Sequence, residues 1–352
     1  MISLDDKDKL KGIDKSGMLE VVLSTPQMLR EALQVSGSVA VKAQKSPNKI
    51  IVAGMGGSAA AGDLLADLLR DGLKVPLLVN RNYTIPGYLD PDTLVFISSY
   101  SGDTEETLYC LKEAEKAQAR IVCVASDGKI KSQAEEKKYP LFEMKQGLQP
   151  RAALPYSLTA IGVYLEKAGL IEKFSEQAKE TADVLDQLKQ AFGPEVGERQ
   201  NPVKQITKKL QGKMPVIFAA TGTTEAIGRR FKNQLNENSK MNAHLSVFPE
   251  LNHNELVSLS ELKRGEHNLA AVFLRDEEDL ARINKRIEIT RSTLGARMGG
   301  ALEIPFSGKS RLARMFSQIY FIDLLSVYLA ILDGIDPTPV DAISKFKKEM
   351  QR

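Results

Sequence analysis

Hydroxyl side chains crowd a ten-residue stretch of this chain, residues 98–107, whose sequence is SSYSGDTEET. The stretch follows the apolar run LVFI, typical of a buried strand, and precedes leucines at helical spacing. The pattern predicts a strand, a turn and a helix start, where backbone N–H groups lack intrahelical partners and the helix dipole is positive. An anion would bind well there, and phosphate is the obvious candidate. If Ser101 or Thr104 only caps the helix, Ser99 remains unexplained.

A glycine-rich turn earlier in the chain has the same design. The apolar run KIIVA leads into GMGGS at residues 54–58, and a helical pattern follows over residues 59–70. Gly57 would let the backbone approach a ligand closely, and Ser58 stands where the helix begins. The order of residues differs from the dinucleotide fingerprint, and the Lys-Ser/Thr end of a P-loop is missing. A tight strand-to-helix turn can also need glycine for steric reasons alone.

The elements that must position these turns alternate along the chain. Apolar runs separated by helical patterns predict parallel strands at residues 50–53, 75–79, 94–97, 121–124 and 141–144. A second round predicts strands at residues 216–219, 243–248, 269–274 and 301–304. The expected fold is α/β, with two tandem doubly wound parallel-sheet domains of three α/β/α layers each. The expected parts are a helical segment at 1–45, a first domain at 46–170, a helical linker at 171–210, and a second domain with a C-terminal helix at 211–352.

Together the two turns resemble a sugar isomerase (SIS) domain, whose sugar-phosphate site is built from such turns. Three further motifs, PRAALP at 150–155, NEN at 236–238 and PELNHNEL at 249–256, are similar to the bifunctional phosphoglucose/phosphomannose isomerase family. The resemblance covers the chain from about residue 49 to the C-terminus. It implies that the phosphate of a hexose 6-phosphate is bound by Gly57, Ser58, Ser99, Ser101 and Thr104. The family often has asparagine at the position of Asp103, so we expect this carboxylate to point away from the phosphate.

The resemblance also implies an activity, the interconversion of glucose 6-phosphate and mannose 6-phosphate with fructose 6-phosphate. This isomerisation moves a proton between C1 and C2 through a cis-enediol after the sugar ring has opened. It needs a carboxylate to carry the proton, an acid or base to open the ring, and a cationic or polar group to steady the enediolate. The family match assigns the proton transfer to Glu237. Without that match, a glutamate near a helix end would be taken as a solvated surface residue.

Ring opening is assigned to His253, one of three histidines in the chain. Its neighbours Asn252, Asn254 and Glu255 could fix its tautomer, although a loop residue that caps a helix is the plainer interpretation. The strand pattern around His244 predicts packing, and His267 is expected at the surface. In the family this histidine reaches the active site from the neighbouring subunit, so the resemblance implies a homodimer with composite sites.

Two cations complete the candidate site. Arg151 follows Pro150, and a guanidinium on such a rigid turn could stabilise an enediolate, whereas a surface arginine at a helix start is equally compatible with the sequence. The C-terminal segment resembles the family's last helix, which supplies an active-site lysine. Its spacing favours Lys347, with Lys345 as the rival. In isolation these lysines would be a solvated basic tail.

Composition excludes several classes of function. The 48 basic and 45 acidic residues nearly cancel, so no broad footprint for nucleic acid is present. The longest apolar tract, 319–332, contains Asp323 and is too short for a bilayer, which predicts a core helix and no membrane partner. Two cysteines and the lack of a signal-peptide pattern favour the cytoplasm. No metal-ligand spacing such as H-E-x-x-H occurs, so neither a metal nor another cofactor is expected.

Two other functions share the predicted fold. A sugar-phosphate-sensing regulator without turnover would usually carry an N-terminal helix-turn-helix, and residues 1–46 lack its basic, compact pattern. The isomerase half of a glucosamine-phosphate synthase would need an amidotransferase half, which the sequence lacks.

Overall fold

The structure, a computed structural model, describes residues 2–42, 45–262, 268–295, 297–298 and 300–350. His267 lies outside the described residues. The helices are α1 (Lys7–Ile13), α2 (Met18–Leu23), α3 (Thr25–Ser38), α4 (Gly56–Leu68), α5 (Glu105–Lys116), α6 (Gly128–Lys137), α7 (Leu154–Lys167), α8 (Phe174–Phe192), α9 (Pro202–Leu210), α10 (Glu225–Glu237), α11 (Glu255–Ser260), α12 (Ala281–Leu294), α13 (Arg311–Leu332) and α14 (Asp341–Met350). The strands are β1 (Lys49–Ala53), β2 (Leu77–Asn80), β3 (Thr93–Ser99), β4 (Arg120–Ala125), β5 (Leu141–Glu143), β6 (Met214–Ala220), β7 (His244–Phe248), β8 (Leu269–Leu274) and β9 (Ala301–Ile304).

The first sheet is parallel throughout, with strand order β2-β1-β3-β4-β5. Its central strands are apolar on both faces because each face is covered by helices. On one face, Ile51, Val95 and Cys123 pack in one cluster with residues of α5 and α6. On the other face, the ring of Phe96 lies edge-on to Tyr164 of α7, with 5.3 Å between centroids. This sheet and its helices therefore form the predicted three layers.

The second sheet repeats this topology with one strand fewer, in the order β7-β6-β8-β9, and is also parallel. Phe218 and Phe273 stack with 4.7 Å between ring centroids, in a cluster that includes Ile287 of α12. On the opposite face, α10 approaches the sheet so closely that a Cβ on Gly228 would lie 3.1 Å from the Cβ of Ala219. Both sheets thus confirm the fold class predicted from the sequence.

The chain divides into two compact units, one around each sheet. Thr25–Val184 and Gly308–Ala313 belong to the unit of the first sheet, whereas Met1–Ser24, Leu185–Ser307 and Arg314–Arg352 belong to that of the second. Helices α1 and α2 therefore belong to the second unit, and α8 starts in one unit and ends in the other.

Helix α13 contains the longest apolar tract of the sequence. Among the described helices it is the one long and apolar enough to cross a membrane by length and composition, but its apolar window is completely buried inside the protein. Asp323, the charge that interrupts the tract, is bound by Arg230 of α10. The tract is therefore a core helix, as predicted.

Candidate active site

The hydroxyl-rich turn at the end of β3 forms a connected cluster. The Ser99 Oγ lies 2.8 Å from the Thr104 Oγ1 and accepts a hydrogen bond from the Gly102 N–H at 3.1 Å. Thr104 is the N-cap residue of α5, but its side chain makes no capping bond. The Ser101 Oγ accepts from the Asp103 N–H at 3.3 Å. The hydroxyls therefore organise the turn and leave the helix start without a side-chain cap from Thr104, unlike the simple capping interpretation.

This turn and the glycine turn lie at the switch point of the first sheet. Strand β1 pairs with β2 on one side and with β3 on the other, so the chain turns in opposite directions at their carboxyl ends. Ligands of open α/β sheets bind at such points. The two turns are also joined directly, because the Ser58 Oγ accepts a hydrogen bond from the Tyr100 N–H at 3.2 Å. Ser58 itself is buried.

Gly57 and Arg151, far apart in sequence, meet at this edge. A Cβ on Gly57 would lie 2.7 Å from the Pro150 carbonyl oxygen and 3.1 Å from the Arg151 Cα, so the contact requires glycine. Arg151 sits on a short 3-10 helix, Pro150–Ala152, and is only 2% exposed. The alternative of a surface arginine is therefore wrong. A guanidinium is rarely buried without a specific role for its charge or its hydrogen bonds.

Tyr100 fixes the approach to Arg151, a role that the sequence analysis missed. Its hydroxyl donates to the Lys145 carbonyl oxygen at 2.9 Å and accepts from the Leu148 N–H at 2.7 Å. Burial raises the pKa of Tyr100, so the hydroxyl stays protonated and can donate at neutral pH. The available signal was a tyrosine inside a motif of small hydroxyl residues, directly after a buried strand.

Asp103 is directed to a neighbouring helix. Its Oδ1 accepts a hydrogen bond from the Lys129 N–H, in the first turn of α6, at 3.2 Å. A carboxylate is favoured at the positive end of a helix, and α6 receives it there. This contact agrees with the expectation that the Asp103 charge is not presented to a phosphate in the hydroxyl turn.

In the unit of the second sheet, Glu237 is the last residue of α10 and is half-buried. The helix is fastened to α13 by polar side chains four residues apart. Arg230 binds both carboxylate oxygens of Asp323, Gln234 donates to the same carboxylate at 2.9 Å, and the Asn238 Nδ2 donates to the Ser326 Oγ at 2.9 Å. These buried bonds fix the end of α10 that carries Glu237.

His253 and Lys347 lie on other elements of this unit. His253 ends a short 3-10 helix, Glu250–His253, and is exposed. Lys345 and Lys347 are both exposed on α14. Within the described residues, no hydrogen bond or ion pair joins either His253 or Lys347 to Glu237. The structure therefore brings together the predicted phosphate site and Arg151, whereas Glu237, His253 and Lys347 lie on three separate elements of the other unit.

His244 departs from its prediction. It was expected to pack in the interior, but it is exposed, and its Nε2 lies 2.8 Å from the Glu255 Oε2. The reason is that His244 is the first residue of β7, at the end of an edge strand, whereas Ser246 and Phe248, which share its face of the sheet, are buried. The strand around His244 was predicted correctly, but the prediction did not take into account that His244 lies at the start of this strand.

In the corresponding turn of the second sheet, after β6, the threonine hydroxyls are already bound to two carboxylates of the protein. Thr223 donates a hydrogen bond to the Asp279 Oδ1 at 2.6 Å, and the Thr221 Oγ1 donates to the Glu225 Oε2 at 3.1 Å. Burial raises the pKa of Asp279. A phosphate at this turn would meet both carboxylates, so the two turns are not equivalent anion sites.

The repeated sheet and the hydroxyl turn define a protein with two SIS domains. The SIS-domain family model matches residues 45–166, and the model described as the bacterial phospho-glucose isomerase C-terminal SIS domain matches residues 199–350. The chain belongs to the bifunctional phosphoglucose/phosphomannose isomerase family. A protein of that name from Caldicellulosiruptor bescii is 41% identical over 334 residues, covering 95% of this chain and 98% of the relative. Another from Aquifex aeolicus is 34% identical, covering 86% of this chain and 90% of the relative.

Solved structures share the fold at much lower identity. A hypothetical protein from Thermus thermophilus superposes with a TM-score of 0.73 at 14% identity, covering 98% of this chain and 93% of that structure. This similarity extends over both sheets and concerns the architecture alone.

Proposed function

We propose that this chain is an aldose–ketose isomerase that interconverts glucose 6-phosphate and mannose 6-phosphate with fructose 6-phosphate. The observation that carries the proposal is the joined pair of turns at the switch point of the first sheet, where clustered hydroxyls lie at the same edge as a buried arginine. Relatives named as bifunctional phosphoglucose/phosphomannose isomerases support it. The alternative of a sensing protein without turnover has no support from these relatives.

The phosphate of the substrate is assigned to the first domain. The hydroxyls of Ser58, Ser99, Ser101 and Thr104 can donate to its oxygens, and the uncapped start of α5 adds backbone N–H groups and a positive dipole end. Gly57 lies in the first turn of α4, where its backbone N–H can donate to the phosphate. This site selects for a phosphorylated sugar and leaves the reacting carbons, C1 and C2, to other residues.

The proton transfer is assigned to Glu237. After ring opening, its carboxylate removes the proton from C2 of the aldose, and the C1 carbonyl oxygen takes up a proton to give the cis-enediol. The carboxylate then returns its proton to C1 while the C2 hydroxyl gives up its own proton, which forms the C2 carbonyl of the ketose. One carboxylate can serve both carbons because they are neighbours. His253 opens the ring as an acid, and Arg151 and Lys347, or its rival Lys345, offset the negative charge that develops on the enediolate.

The decisive experiment is an assay with fructose 6-phosphate in the presence of EDTA, in which glucose 6-phosphate and mannose 6-phosphate are detected separately. We expect both products. Glu237→Gln should lower kcat by about 1,000-fold, since the amide cannot accept the proton, while affinity for the sugar phosphate is retained in a thermal-shift titration.

Glu136→Gln, on the exposed surface of α6, is the matched control and should keep full activity. Unchanged turnover in Glu237→Gln would exclude this residue as the base. Binding without either product in the unaltered protein would instead support the sensing protein.

We also propose a homodimer in the cytoplasm, with His253 supplied to the partner's site. The exposure of His253 and the lack of any buried residue on α11 and α14 are compatible with an interface in this region. Both cysteines are free and buried, and burial raises the pKa of the Cys123 thiol to about 12. Such protected thiols suit a reducing compartment.

A further inference from the structure

A lysine in an unusual backbone conformation follows the end of helix α10. Lys240, three residues after Glu237, has a φ of +54°. A left-handed residue at a helix end is usually glycine or asparagine, because an L side chain is strained there. The left-handed backbone of Lys240 therefore lowers the stability of the fold. Its side chain must make interactions that glycine could not make and that offset this cost.

The Lys240 ammonium binds backbone carbonyl groups from two separate segments. It donates to the carbonyl oxygens of Glu237 at 2.8 Å and Asn238 at 3.3 Å, both at the end of α10. It also donates to those of Asp336 at 3.2 Å and Pro337 at 3.1 Å. A cation at this position complements the negative end of the α10 dipole and supplies donors to carbonyls that lack helical partners.

The second pair of carbonyls lies in the short connection between α13 and α14. Helix α14 carries Lys345 and Lys347 and buries none of its described residues. Since no side chain of α14 is buried in this chain, the position of α14 depends strongly on the hydrogen bonds made by the connection that precedes it. Lys240 thus ties the end of the helix that bears Glu237 to the base of the helix that bears the candidate catalytic lysine.

We propose that Lys240 is a positioning residue that sets the place of α14 relative to Glu237. This inference rests on the proposed function, because it takes Glu237 and a lysine of α14 as catalytic residues. The Lys240 ammonium binds four backbone carbonyls, and this positioning role needs no contact with the sugar. Lys240 orders the connection that precedes α14. It thereby affects turnover, because α14 carries the candidate catalytic lysine.

Lys240→Gly separates the side chain from the backbone, because glycine removes the ammonium and at the same time relieves the left-handed strain. We expect the melting temperature to stay the same or rise. Amide hydrogen exchange in residues 334–350 should accelerate by about 10-fold, since the bonds that hold this segment are lost. The kcat for fructose 6-phosphate should fall by about 10-fold with KM changed less than about twofold. Lys240→Arg, which keeps the charge and donors, should recover part of both effects.

Lys138→Gly is the matched control. Lys138 is also exposed and left-handed at a helix end, with a φ of +56°, and its ammonium has no hydrogen bond within the described residues. It should change neither exchange in residues 334–350 nor kcat. Unchanged exchange in Lys240→Gly would overturn the proposal, and so would faster exchange with full kcat. If Glu237→Gln keeps its activity, the proposed base is wrong, yet the exchange comparison still decides whether Lys240 orders α14.

Discussion

At the scale of single residues, the buried guanidinium of Arg151 is the strongest chemical feature of the first domain. It is held on a short helix that begins with proline, and its exposed fraction is 2%. A guanidinium is planar, carries five N–H donors and stays charged at every physiological pH. These properties suit the stabilisation of a negative charge that appears only during the reaction, because the donors are in place beforehand.

Substitution of Arg151 tests this role. Arg151→Met should lower kcat by about 100-fold, since the charge and all donors are lost. Arg151→Lys should fall between that variant and the unaltered protein, because an ammonium keeps the charge but not the planar arrangement of donors. Steady-state kinetics with fructose 6-phosphate measure both. Melting temperatures and circular dichroism identify a variant that fails to fold, and full kcat in a folded Arg151→Met would show that the arginine is only structural.

At the scale of elements, the position of Arg151 depends on the segment that precedes it. Residues 145–148 are pinned by the hydroxyl of Tyr100, which stands in the hydroxyl-rich turn itself. The same tyrosine donates its N–H to Ser58. Tyr100 therefore links the serine-threonine turn, the glycine turn and the segment that precedes Arg151. A displacement of any one of them should shift the other two.

Tyr100→Phe removes this hydroxyl and keeps the ring. It breaks two hydrogen bonds of a buried group, and we expect a loss of about 1–3 kcal/mol in the free energy of unfolding. The kcat should also fall, because residues 145–148, which precede Arg151, would no longer be held by the hydroxyl. Chemical denaturation and steady-state kinetics provide the two readouts. Tyr88→Phe, at a side chain that is 46% exposed, is the matched control and should leave both unchanged.

The elements themselves were largely predictable from the sequence. Buried parallel strands are continuous apolar runs, so β8 and β9 were predicted with their observed limits. The predicted start of β2 lies two residues before the observed start at Leu77, because Val75 and Pro76 continue the apolar pattern. Helix α4 begins earlier than predicted, at Gly56, because the Met55 carbonyl oxygen already accepts a helical hydrogen bond from the Ala59 N–H at 3.3 Å.

The site was predictable only in part. Spacing along the chain predicted that the hydroxyls of Ser99 and Thr104 belong to one site, because the two residues are only five positions apart. It could not reveal that Gly57 lies against Pro150, because that contact joins residues more than ninety positions apart. The bonds of Lys240 to the connection before α14 were hidden for the same reason. The division of the chain at residues 46, 171 and 211 stays a prediction.

At the scale of the whole molecule, the second unit exposes several large apolar side chains to solvent. Val257 on α11 is 71% exposed, and Phe346 on α14 is 63% exposed. Ile343 and Met350 add to the same side of α14, since they recur at helical spacing with Phe346. Apolar side chains exposed on a helix that buries nothing are typical of an interface. These features fit the proposed homodimer, in which His253 crosses to the partner.

A composite site makes a prediction about mixed dimers. Glu237→Gln and His253→Ala chains, each inactive as a homodimer, are co-expressed with different affinity tags, and the heterodimer is isolated by both tags in turn. If each site takes Glu237 from one chain and His253 from the other, both defects fall in one site and the second site is intact. The heterodimer should then recover about half of the unaltered activity per dimer. If His253 acts within its own chain, both sites carry one defect and no activity returns, and a single-chain mass in light scattering would exclude the dimer altogether.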